Sequence, residues 1–436
     1  MSATQAYNSL LNHLRETSTL EATSRLLVWD METQMPTGGA GSGAPPAVEY
    51  RGRQLAQMAA LLHARKTDPR VGEWLAACEP DPNLTGDPHS DPATNLREAR
   101  RDYDHAIKLP ASLVEEWSRA TTRSRHAWAD ARKKSDFNLF RPHLERVVEL
   151  ARQKAACWGA PSPNVIPAKA GTQSQEPWDA LADVMEPGLK AAEIAALFTP
   201  LAKELAHLVE SLPPPRDPLE GLRIPIDRQR GFCRHVAAQL GFDAARGVVA
   251  ESTHPFCMGL HRDDVRITSR YREDLPLDSL SSTIHEAGHA IYNQNTPDGP
   301  ALDTHAGQPL RFAIHESQSR MIENQVGRSR AFWSWCGPIA RQHFAPACDH
   351  AGDGDLFRSV NVFRPSLIRT ESDELTYNLH IVVRFELERA MIRGDLAVKE
   401  LPAAWNEGYR KNLGVTVPDD ARGCLQDVHW SEGLFG

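Results

Sequence analysis

The sequence predicts a mainly α-helical protein with one small β-sheet. Apolar residues recur at helical spacing through most of the 436 residues. Strand-like alternation is confined to residues 252–275, where Val265, Ile267 and Ser269 alternate with Arg266, Thr268 and Arg270. Prolines fall where one helical stretch gives way to the next.

Taken in order, residues 4–32 carry a helical stripe that includes Leu10, Leu14, Leu26 and Trp29. Met35-Pro36-Thr37-Gly38-Gly39 breaks it, and the break runs on to Pro46. Helices are expected over 47–63 and 71–77, with a polar loop over 79–94. Residues 93–156 read as helical, with new helices opening at Leu109-Pro110 and Arg141-Pro142. Residues 159–176 lack a helical period and read as a mobile surface insertion. Helices then follow over 178–212, ending before Pro213-Pro214-Pro215, and over 229–240. Beyond the strand-like stretch, helices are expected over 315–328, 331–344, 355–361, 371–393 and 397–411. No internal repeat is present, and the chain is expected to form a single domain over 1–436.

Bulk properties narrow the function. Hydrophobic residues make up 41% and charged residues 24%, values of an ordinary globular chain. The net charge of −8 argues against a nucleic-acid binder, which needs a basic face. No apolar run is long enough to span a membrane, and the polar start lacks the apolar core of a signal peptide. Seven scattered cysteines without a Cys-x-x-Cys pair point to reduced thiols and a cytoplasmic protein.

The chemistry gathers at Ser282-Thr283-Ile284-His285-Glu286-Ala287-Gly288-His289. Helical residues four apart share a face, so His285 and His289 can aim two imidazoles at one metal ion. Glu286 then lies beside that ion, placed to take a proton from a metal-bound water. Ser281, Ser282 and Thr283 are expected to cap the start of this helix. A third ligand must come from elsewhere. Glu316, on the next expected helix, would complete a His₂Glu site with one position open for water. Glu323 on the same helix is the fallback, and His315 would face another side, as a support for the site or a substrate contact.

An ordered series of motifs extends this reading: His254-Pro255-Phe256; Asp264-Val265-Arg266-Ile267-Thr268; His285-Glu286-Ala287-Gly288-His289; His315-Glu316-Ser317-Gln318; Ile368-Arg369-Thr370-Glu371-Ser372-Asp373; and Gly423-Cys424-Leu425-Gln426-Asp427-Val428-His429-Trp430. With Trp29-Asp30 and Met35-Pro36 they make the chain resemble the carboxypeptidase Taq family of zinc metallocarboxypeptidases. The resemblance implies a large helical zincin-type fold with a long groove between two helical walls and a small β-sheet beside the metal. It implies one Zn²⁺ per chain, replaceable by Co²⁺, with Glu316 as third ligand. It further implies a homodimer that removes C-terminal residues from peptides with broad specificity. Family members continue past the equivalent of Gly436, so the chain is expected to be short at that end, and the insertion at 159–176 is absent from most relatives.

The remaining candidates follow from what such an enzyme must do. The free terminal carboxylate needs a bidentate cation, and Arg369 and Arg266 are the candidates by resemblance. The alternative for Arg266 is a pairing with Asp263 or Asp264, and for Arg369 a bridge to Glu371 or Asp373. Tyr377 and His429 are candidates to stabilise an oxyanion, and His254 to support the strand beside the site. Two other readings stand beside the carboxypeptidase: a zinc oligopeptidase or endopeptidase, and an inactive remnant acting as a binding protein.

Overall fold

Several helices begin where the sequence supplies an oxygen to cap them. Ser2 accepts from the Gln5 amide while the Gln5 side chain accepts from the Ser2 amide, and this reciprocal pair opens Ala3–Thr33. Asp68 ahead of Pro69 opens Pro69–Cys78, and Ser90 opens Asp91–Ala106. Asp373 accepts from the amides of Leu375 and Thr376 to open Glu374–Arg393. The result, in a computed structural model that describes residues 1–36, 46–159, 176–213, 216–252 and 254–436, is the expected mainly helical fold with a small sheet. The chain divides into two compact units, Met1–Ala111 with Pro218–Val360 and Ser112–Asp217 with Asn361–Gly436.

In the first unit, Ala3–Thr33, Pro69–Cys78 and Asp91–Ala106 close over Leu10, Leu75 and Leu96. The three-stranded sheet has the order β1 (Gly247–Glu251), β3 (Asp264–Ser269), β2 (Cys257–His261). β1 runs parallel to β3 and β2 antiparallel to it. The period-two pattern explains its placement. Val265 and Ile267 are fully buried against Ala287 and Ala290 of the helix Pro276–Gln294, and Arg266 between them takes the opposite face. The other side of that helix contributes Leu280 and Ile284 to a core with Phe232, Trp333 and Phe344. One helix thus joins the sheet to the helical core, and it is the one that carries His285 and His289.

In the second unit, Phe137–Cys157, Pro177–Met185, Glu374–Arg393 and Leu401–Leu413 enclose Phe140, Leu144, Val383, Trp405 and Trp430. A buried carboxylate ties this core together. Glu388 accepts from the indole N–H groups of Trp178 and Trp430, each at 2.8 Å, and from the Gly436 amide at 2.7 Å.

The local departures from the expected elements have physical causes. Pro142 does not open a helix. It sits inside Phe137–Cys157, which starts earlier because Ser135 turns the chain with φ 52° and Asp136 caps the Asn138 amide. Ser281, Ser282 and Thr283 cap nothing, because Pro276 in the first turn starts their helix sooner. The single helix expected over 178–212 is two, Pro177–Met185 and Ala191–Ser211, parted at Gly188 with φ 82°. A helix already begins at Asp91 within the loop expected over 79–94. The insertion expected over 159–176 lies outside the described residues but for its two ends.

Glu388→Ala would leave two indole N–H groups and a backbone amide without an acceptor in a closed core. The variant is expected to lose about 3 kcal/mol of stability, read by calorimetry as a lowered unfolding temperature. An unchanged transition would contradict the role given to Glu388.

Candidate metal centre

Four-residue spacing places His285 and His289 on one face of Pro276–Gln294. Their Nε2 atoms turn toward the same carboxylate oxygen. Glu316 Oε2 lies 3.7 Å from His285 Nε2 and 3.3 Å from His289 Nε2. One ligand atom from each of the three residues falls within 4.8 Å of the other two, and among the described residues this is the one group of three so arranged. Ligand atoms about 2.1 Å from a shared tetrahedral ion would be about 3.4 Å apart. Two imidazoles and a carboxylate, at this spacing, fit a divalent metal of borderline softness with one position left open.

Close helix packing creates that spacing. Glu316 lies on Phe312–Arg320, which crosses the His285 helix at Gly288. A Cβ there would stand 2.7 Å from Ser319 Cα and 2.8 Å from the Gln318 carbonyl oxygen, so backbone meets backbone and only glycine fits.

The outward nitrogens of both imidazoles are also engaged. His285 Nδ1 lies 2.9 Å from Glu323 Oε2. A carboxylate only accepts, so in the neutral ring Nδ1 carries the hydrogen and Nε2 keeps a lone pair. Glu323 accepts from Ser281 as well, at 3.0 Å, and pairs with Arg320 at 3.3 Å. It sits in a π-helical turn, Met321–Val326, that continues Phe312–Arg320. Seven residues apart, Glu316 and Glu323 both reach the His285 ring, one at Nε2 and the other at Nδ1. His289 Nδ1 lies 2.6 Å from His315 Nδ1, and Asn293 reaches the other nitrogen of His315 at 3.1 Å.

Charge in this cluster is tightly held. Glu286 is 6% exposed, and burial raises its pKa above the usual carboxylate range against the pull of His285 and His289. Burial opposes charge on His285, but the Glu323 hydrogen bond and the charges of Glu286 and Glu316 outweigh it and lift its pKa to about 9. For Glu316 burial is likewise outweighed, by His289 and His285, and its pKa falls to about 2. Three carboxylates thus surround two imidazoles, an arrangement that calls for a cation. Burial, then the charge of Glu286, pushes the Cys257 thiol on β2 upward, which keeps it protonated.

Comparison with known proteins agrees with this chemistry. The model of the family described as carboxypeptidase Taq (M32) metallopeptidase matches residues 9–436. The chain belongs to that family. The thermostable carboxypeptidase 1 of Thermus thermophilus is 41% identical over 440 residues, covering 100% of this chain and 83% of the relative. The crystal structure of the M32 carboxypeptidase from Deinococcus radiodurans R1 superposes with a TM-score of 0.85 at 37% identity, over 99% of this chain and 82% of that one. Metallocarboxypeptidase 1 of Trypanosoma cruzi does so with a TM-score of 0.79 at 30% identity, over 99% and 83%. The protein is accordingly a metallocarboxypeptidase, a hydrolase that works with a metal cofactor. Among its described residues no helix is long and apolar enough to cross a membrane.

The other residues singled out in the sequence divide between the units. In the first, Arg266 already has a partner: its Nε and NH2 groups donate to both oxygens of Asp264, at 2.8 and 2.9 Å, and its guanidinium lies over Trp29. His254 sits just before β2, with Nδ1 2.8 Å from the Pro255 carbonyl oxygen. In the second, Arg369 donates to the Tyr377 hydroxyl at 3.0 Å, and no carboxylate among the described residues forms an ion pair with it. The His429 amide donates to Asp427 Oδ1, and the buried Asp427 pairs with Arg384 at 2.5 Å. The roles of Glu323 and Ser281 in orienting His285 had no signal in the sequence beyond an acid seven residues after Glu316.

Glu323→Ala frees the His285 ring to rotate. It is expected to weaken metal affinity by about 10- to 100-fold, measured by competition with a chromogenic chelator. Wild-type affinity in a folded variant would remove Glu323 from the metal centre.

Proposed function

We propose that this protein removes C-terminal residues from peptides with broad specificity, using Zn²⁺ held by His285, His289 and Glu316. The observation that carries the reading is the convergence of those three side chains beside buried Glu286. The ion supplies Lewis acidity, lowering the pKa of a water to about 7 and polarising the scissile carbonyl. Cobalt can replace it in the same donor set. Glu286 takes a proton from the attacking water and delivers it to the departing amine. Its burial supports this role, because it makes the carboxylate a stronger proton acceptor than one in water. Glu323 and His315 keep the two imidazoles turned to the ion.

Arg369 receives the terminal carboxylate of the substrate, which makes the reaction an exopeptidase one. Among the described residues no carboxylate forms an ion pair with its guanidinium, and this supports the role. Arg266 takes a supporting part, because Asp264 already occupies its fork. Tyr377, whose hydroxyl is tied to Arg369, and His429 stabilise the oxyanion, and His254 shapes the approach to β2. We read residues 1–436 as a single catalytic domain. We place the protein in the cytoplasm on the strength of its seven free thiols, and as a homodimer by resemblance to its family.

The test is hydrolysis of an N-blocked dipeptide. A chelator should abolish it and added zinc restore it, and Glu286→Gln should lower kcat by about 10³-fold. C-terminally amidated peptides should be cut far more slowly than free acids. Equal cleavage of both would make the protein an endopeptidase, and bound zinc with no hydrolysis would leave a binding protein.

A further inference from the structure

Arg369 stands in a short 3-10 turn, Arg369–Glu371, ahead of the helix Glu374–Arg393. Among the described residues its guanidinium makes one hydrogen bond, to Tyr377. Within the turn, Ser372 donates to the Arg369 carbonyl oxygen through its amide and its Oγ. The side chain of Gln426 ties the turn to a segment distant in sequence. Its Oε1 accepts from the Arg369 amide at 2.8 Å, and its Nε2 donates to the Leu367 carbonyl oxygen at 2.6 Å. One side-chain amide therefore bonds the backbone on both sides of Ile368, as a neighbouring strand would.

Gln426 is itself held in place. Its Nε2 also donates to the Arg422 carbonyl oxygen at 3.1 Å, and its amide lies against the hydroxyl of Tyr409. Tyr409 is fully buried and its hydroxyl is 2.7 Å from His380 Nδ1. His380 is 1% exposed, and burial, then the charge of Arg369, lowers its pKa to about 3. It stays neutral, and the nearby anion, Asp427, whose carboxylate also feels the charge of Arg369, is paired with Arg384. Glutamine is the side chain that suits this place. A glutamate would lack the donor for Leu367 and would set an anion beside the guanidinium.

We infer that Gln426, backed by Tyr409 and His380, is the positioning residue that aims Arg369 at the terminal carboxylate of the substrate. The inference rests on the reading of Arg369 as the carboxylate anchor. It adds a role for a residue that touches neither substrate nor metal, and places it three residues ahead of His429 on the same segment.

The test uses the full chain loaded with zinc. Steady-state kinetics are measured on an N-blocked dipeptide and on its C-terminal amide, with melting temperature followed for every variant. Gln426→Met keeps the volume and removes all three backbone bonds. It is expected to raise KM for the free acid by about tenfold, with a smaller change in kcat and none in KM for the amide. Tyr409→Phe, a milder change, should raise the same KM by about threefold. His380→Asn, whose Oδ1 can take the place of Nδ1, should stay closer to wild type than His380→Ala. Arg369→Ala separates the two claims. If it raises KM for the free acid while folded Gln426→Met does not, the anchor stands and the positioning role is overturned. If Arg369→Ala leaves KM unchanged, the anchor fails and the role of Gln426 falls with it. A rise in KM for acid and amide alike in Gln426→Met would also overturn it, by showing a general loss of structure.

Discussion

The metal centre depends on the contact between two helix backbones at Gly288. With no side chain there, Phe312–Arg320 approaches Pro276–Gln294 until Ser319 Cα and the Gln318 carbonyl stand where a Cβ would be. That approach brings Glu316 within 3.3 Å of His289 Nε2. Glycine inside a helix normally costs about 1 kcal/mol relative to alanine. Here the cost is offset by packing that no larger residue allows. The sheet fixes the other side of the same helix, where Ala287 and Ala290 lie flat on Val265 and Ile267. The helix is thus pinned between a strand and a second helix, and neither imidazole can shift without moving a packed layer.

Charge organisation follows from that geometry. Glu286, Glu316 and Glu323 are brought into one partly closed space, with His285 and His289 between them. Each carboxylate meets a different part of the imidazole pair. Glu316 faces the inner nitrogens, Glu323 the outer nitrogen of His285, and Glu286 lies buried alongside. The two histidines are steadied differently, one by an anion and the other by a neutral ring, since burial and then the charge of His289 hold the His315 pKa near 4. A charged partner makes His285 the more strongly polarised ligand of the two.

Much of this was legible in the residues themselves. The four-residue spacing of the histidines, the alternation at Val265 and Ile267, and the proline and glycine punctuation each report a local rule, and the structure follows them. What was not legible depends on contacts distant in sequence. Glu323 reads as a spare ligand because seven residues return a helix to nearly the same face; it does reach His285, but at Nδ1, and only the ring's orientation decides which acid meets which nitrogen. Arg266 reads equally well as a substrate anchor or as the partner of Asp264, and only the rotamer decides. Pro142 reads as a helix start, yet the cap at Asp136 and the turn at Ser135 place the start five residues sooner. Gln426 gives no sign of its purpose, because its bonds to the backbone around Ile368 reach residues 57 and 59 positions away.

The most direct measurement of the central constraint is the metal content of Gly288→Ala, by elemental analysis of the purified protein beside far-ultraviolet circular dichroism. In an ordinary helix this change adds about 1 kcal/mol of stability. If the backbone contact at Gly288 assembles the site, the variant stays helical but binds well under one metal ion per chain and loses hydrolysis in proportion. A variant that is helical, holds one ion per chain and turns over like the wild type would contradict the account.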